Sequence, residues 1–134
     1  MIKKVLIAWA AVGLFVGMAH ADEGHKHGHK EAGKTGAQTI QGEILDMACY
    51  MGHEAKGPKH QSCAVKCVKG GAPMGLLTPE GKVLLVVENH NLAASSKAYE
   101  QLKDWAGTQV KINGEVTEKG GIEAILVTSA EKLK

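Results

Sequence analysis

The sequence predicts an all-β domain with a helix, a small five-stranded OB-like Greek-key barrel carrying a short Cys/His-bearing helix between strands 1 and 2. Three observations lead there. Short apolar runs alternate with polar residues at period two, turn residues separate them at regular intervals, and one stretch places its apolar residues at helical spacing instead.

The first strand is expected from about Thr39, where Thr39-Ile40-Gln41-Gly42-Glu43-Ile44-Leu45-Asp46 puts Ile40 and Ile44 on one face. A cysteine- and histidine-rich segment over residues 47–74 then breaks the pattern and reads as an insertion. Met74-Gly75-Leu76-Leu77, the turn Thr78-Pro79-Glu80-Gly81 and Lys82-Val83-Leu84-Leu85-Val86-Val87 form a hairpin whose second strand is apolar enough to be buried on both faces. A helix follows, with Asn91 as its cap, Leu92, Tyr99, Leu102 and Trp105 on one face, and Gly107 as its stop. Gln109 to Val116 alternates again, Glu118-Lys119-Gly120-Gly121 turns the chain, and Ile122 to Ala130 makes the last strand. Three strands, a helix and two strands is the order of the OB-fold.

The pair Val110-Lys111-Ile112-Asn113-Gly114-Glu115-Val116 and Ile122-Glu123-Ala124-Ile125-Leu126-Val127 resembles the closing hairpin of small exported bacterial OB-fold proteins. In those, a V-x-V-x-G-x-V strand precedes a glycine-rich turn and an aliphatic strand. The resemblance spans Thr39 to Lys132 and implies a fold rather than a function, because such barrels host oligonucleotide, sugar, protein and metal partners alike. The Cys/His insertion is a departure from the plain barrel, so specific chemistry is expected there.

Met1-Ile2-Lys3-Lys4, the apolar run Val5 to Met18 and Ala19-His20-Ala21 have the form of a cleaved signal peptide over residues 1–21. A periplasmic or secreted location is therefore expected. Residues 22–38 carry no apolar period and read as a disordered His-rich tail, in which His25, His27 and His29 form a second candidate for metal ions beside the bland reading of a solvated leader. The domain is expected over residues 39–134, with no span crossing a membrane after cleavage.

Charge narrows the function classes. Sixteen basic residues, all lysine, face fourteen acids, and two of the lysines leave with the leader, so the basic excess and arginines of a nucleic-acid binder are missing. Aromatic residues make up 4% of the chain, too few for base-stacking platforms.

The insertion carries all three cysteines between Cys49 and Cys67, together with His53 and His60. Gly57-Pro58 at one end and Gly70-Gly71 at the other predict a short helix from Pro58 to Lys69, on which His60, Cys63 and Cys67 share a face at i, i+3 and i+7. Cys49, expected at the end of the first strand, completes a set of three cysteines and one histidine, with His53 and Met51 as reserves and Met47 or Met74 as weaker alternatives. Thiolate and imidazole suit a transition metal ion; nearby methionines and an oxidising compartment favour copper, with zinc next. An iron-sulfur unit normally asks for four cysteines, and the covalent-haem motif Cys-x-x-Cys-His is absent.

Two readings compete with metal handling, sensing or delivery. Two cysteines in an exported protein can form a disulfide and leave a spare thiol, giving a disulfide-stabilised interaction module, or the thiols can pass electrons to a periplasmic protein partner as a thiol-disulfide redox protein. On a shared helix Cys63 and Cys67 have poor disulfide geometry, so Cys49 is the better partner for either. The odd cysteine count weighs towards metal. Lys59, Lys66 and Lys69 favour thiolate in every case and do not discriminate. Asp46 is read as a cap or as an acceptor that orients a histidine, and His90 as a turn residue. No Ser/His/Asp arrangement or phosphate loop is present, so no catalytic residue is assigned and the protein is not expected to be an enzyme.

Overall fold

The computed structural model describes residues 36–134; the leader and the tail histidines lie outside the described residues. In chain order the elements are β1 (Gly36–Asp46), α1 (Met47–His53), α2 (Gln61–Lys69), β2 (Met74–Leu77), β3 (Val83–Glu88), α3 (Ala93–Asp104), β4 (Gln109–Lys119) and β5 (Ile122–Lys132). The strands close into a five-stranded OB-like barrel in the order β1-β2-β3-β5-β4, and β4 returns to pair with β1. All neighbours are antiparallel except β3 and β5, which run parallel from Leu85 opposite Ala124 to Glu88 opposite Val127.

Alternation explains the strands. In β4 Val110, Ile112 and Val116 are buried while Asn113 and Glu115 face outward, which is the period-two pattern of a barrel wall. β1 alternates only in its first half; from Gly42 to Asp46 five successive residues are buried, because α1 and α2 pack over its outer face. The strand begins at Gly36, ahead of the expected Thr39, since Gly36, Ala37 and Gln38 pair with Val116, Glu115 and Gly114. Inside the barrel Ile44, Leu76, Leu84, Val86, Ile112, Ile125 and Val127 form one core with Leu102 of α3. Each such side chain contributes about 1.5–3 kcal/mol by leaving water.

α3 is capped differently from expectation. Leu92, not Asn91, holds the cap position and offers no side-chain bond. The loop is held instead by Ser95, whose hydroxyl accepts from the Asn89 amide at 2.8 Å, and by the Asn89 side-chain oxygen, which accepts from the Asn91 amide at 3.1 Å. Leu102 is buried, with Tyr99 and Trp105 packed partly buried against the core, so the helical stripe is a core face.

The insertion leaves and re-enters the sheet at one point, because Asp46 stands opposite Met74 in the β1–β2 pair. The Met47 amide donates to the Pro73 carbonyl at 3.0 Å and ties its base. α2 docks through Ala64 and Val68, each 1% exposed and part of the barrel core. Its start lies against the turn after α3, where Gly107 has φ +76 and a Cβ would fall 2.7 Å from the Gln61 Cα. Glycine alone fits both the backbone angle and the approach.

Candidate metal centre

α1 is only seven residues long and buries none of them, so neither propensity nor packing of its own makes it a helix. Its ends do. The Asp46 Oδ1 accepts from the amides of Ala48 at 3.0 Å and Cys49 at 3.4 Å, satisfying two of the donors a helix start leaves bare. At the other end Glu54 turns left-handed at φ 56 and its amide donates to the Tyr50 carbonyl at 2.8 Å. Gly75 opens room beside β2 for the Met47 side chain, which a Cβ there would strike. Cys49 therefore sits in the first turn of a helix, which corrects the expectation that it ends β1.

α2 is fixed by its buried side. With Ala64 and Val68 turned into the core, Cys63 and Cys67 fall one turn apart on another stripe, their Sγ atoms separated by 4.0 Å. The helix begins at Gln61, later than Pro58, because residues 57–60 form a turn in which the His60 amide donates to the Gly57 carbonyl at 3.0 Å. His60 thus occupies the cap position of α2 and makes no capping bond there.

These elements bring Cys49, Cys63 and Cys67 together with all three sulfur atoms within 4.8 Å of one another. All three are free thiols; Cys63 is exposed and the other two are half-buried. Three sulfurs bound at about 2.3 Å around one ion stand roughly 4 Å apart, close to the Cys63–Cys67 separation. A second trio, Asp46, Cys49 and His60, also has its ligand atoms within 4.8 Å of one another. The cysteines are therefore gathered as expected, while His60 groups with Asp46 and Cys49. Sequence reasoning reads Asp46 only as a cap or an orienting acceptor; its place immediately before the cysteine helix is the signal that marks it as a ligand candidate. Of the reserves, Met51 is 74% exposed, and His53 ends α1 on the surface and joins neither trio. Met74 is buried in the barrel core.

Among the described residues two buried polar atoms beside the thiols have no hydrogen-bond partner, Asp46 Oδ2 and His60 Nε2. Burial pushes the Asp46 carboxyl up, but the thiol and amide of Cys49, the thiol of Cys67 and the Ala48 amide outweigh it and hold the group below its ordinary value. The reverse applies to the sulfurs. The pull of the Asp46 carboxylate on its proton, together with burial, pushes Cys49 up to about 12, and burial with the neighbouring Cys63 thiol and Asp46 raises Cys67. Without a cation Cys49 and Cys67 keep their protons more firmly than free thiols do. A metal ion removes the reason for those shifts, because its charge favours the thiolates directly.

No family model, curated protein or solved structure matches this chain. Function is therefore read from the site itself. A cluster of three cysteines and an Asp/Cys/His group, each able to hold a metal ion, share Cys49 where the insertion leaves β1 of a closed barrel.

Proposed function

We propose that this is an exported, periplasmic or secreted protein that binds a soft transition metal, copper before zinc, for handling, sensing or delivery. It takes its place beside the small exported barrels its closing hairpin resembles, with the insertion supplying the chemistry. One observation carries the reading: three thiols converge within 4.8 Å beside Asp46 and His60, whose buried Oδ2 and Nε2 receive no amide or hydroxyl hydrogen bond. Each bare polar atom costs about 1–3 kcal/mol, which a bound cation removes. Three sulfurs favour a soft ion, and an exposed Cys63 leaves one side open to an incoming ligand, which suits a cargo more than a closed structural ion.

The test is metal content and free-thiol count on protein purified anaerobically without a histidine tag. Stoichiometric metal that falls in Cys63→Ser supports the proposal. Absence of metal together with one free thiol per chain would falsify it in favour of the disulfide module. Reversible oxidation of a thiol pair in a metal-free protein would point to thiol-disulfide exchange.

A further inference from the structure

We infer that the centre takes two metal ions, bridged by the Cys49 thiolate. Cys49, Cys63 and Cys67 hold the first, and Cys49, Asp46 Oδ2 and His60 Nε2 hold the second. The inference rests on the metal-binding reading above and adds the number of ions and their division among the ligands.

The first support comes from Asp46. Capping α1 occupies Oδ1 alone, which takes both the Ala48 and the Cys49 amides. Serine or asparagine would cap the helix as well. Instead the chain keeps a carboxylate that is 1% exposed, and its Oδ2 is left without a partner. In the metal-free protein only the Cys49 and Cys67 thiols reach this carboxylate beyond the cap, and once their protons leave it needs a cation instead.

His60 repeats the pattern from the start of α2. It sits at the head of α2 without capping it, and its Nε2 is buried with nothing to bond. The two bare atoms are not hydrogen-bonded to each other, yet both side chains bring a ligand atom within reach of the Cys49 sulfur. Carboxylate oxygen, imidazole nitrogen and thiolate around one point form a donor set for Zn²⁺ or copper, which would replace the thiol-to-carboxylate bonds of the metal-free protein.

The shared ligand gives the second support. Cys49 is common to both trios, so one bridging sulfur keeps two ions within the same short segment. As the ions bind, the three thiol protons leave for solvent, while Asp46 and His60 bind through Oδ2 and Nε2.

The test is anaerobic titration of the full chain carrying His25→Gln, His27→Gln and His29→Gln, so that the tail adds no ion of its own. Cu(I) is delivered from a competing chelator, Zn²⁺ serves as the second probe, and X-ray absorption reads any Cu···Cu vector. Two equivalents of either ion per chain are expected, with a short metal-metal vector for Cu(I). His60→Ala and Asp46→Asn should each lower the count to one, and circular dichroism checks that each folds. If His60→Ala does not fold, His60→Gln is read in its place. No more than one equivalent of each ion overturns the second site and leaves metal binding intact. No binding of either ion overturns both readings. Two equivalents that survive both His60→Ala and Asp46→Asn place the second ion elsewhere and overturn the assignment.

Discussion

Across the β4–β5 hairpin the side chains alternate, and Val110, Ile112, Val116, Ile125 and Val127 all end in the core. Across the α1–α2 insertion only Ala64 and Val68 do so; the rest is placed by hydrogen bonds at its ends and by two glycines that let it lie close. The first region is held by burial and tolerates polar change on its outer face. The second keeps its reactive side chains out of the core, so they can be altered without undoing the barrel. Separating the two ways of holding shape frees the insertion to carry groups that a packed core would reject.

The largest loss of stability is expected from the barrel side. Ile112→Ala should lower the stability of the metal-free protein by about 2–5 kcal/mol, read by urea denaturation, and should leave metal content unchanged wherever the protein remains folded. Val68→Ala tests the seam. Two buried carbons at about 0.8 kcal/mol each, with a small cavity, give a loss of about 2 kcal/mol, and here metal affinity should fall as well because α2 carries two of the thiols. If affinity is untouched, α2 is positioned by something other than its packing.

Asp46→Ala should cost about 1 kcal/mol through loss of the cap, whereas Asp46→Asn should recover most of that stability. Denaturation midpoints of the two variants separate capping from charge. Cys63→Ser, at an exposed position, should change stability by no more than about 0.5 kcal/mol while reducing metal content. In the metal-free protein Cys49 should alkylate more slowly than exposed Cys63 at neutral pH, with its rate climbing as pH rises towards about 12, followed by peptide mass spectrometry. The sign follows because the thiolate is the nucleophile and a raised value leaves less of it.

Much of the barrel is legible in the sequence because its signal is local. Val110, Ile112 and Val116 announce their own strand, and Gly120-Gly121 its turn. The three cysteines are legible as a group because they lie close along the chain. α1 is not: seven residues containing Gly52 show no apolar period, and the helix exists through a cap and a left-handed exit that depend on backbone geometry. The cap of α3 falls at Leu92 rather than Asn91 for a similar reason, since Asn89 and Ser95 meet only once the loop has folded. The grouping of His60 with Asp46 follows from the turn at residues 57–60, which takes His60 off the helix and onto its threshold.

β1 pairs with β4 over Gly36–Glu43 and with β2 over Glu43–Asp46, so the ring closes through a strand that passes from one neighbour to the other at Glu43, and the insertion leaves from the half that pairs with β2. Cys63, exposed beside its partners, is a point where two chains can be joined covalently. Air oxidation of metal-free protein should therefore stop at a dimer cleaved by reductant, and Cys63→Ser should stay monomeric.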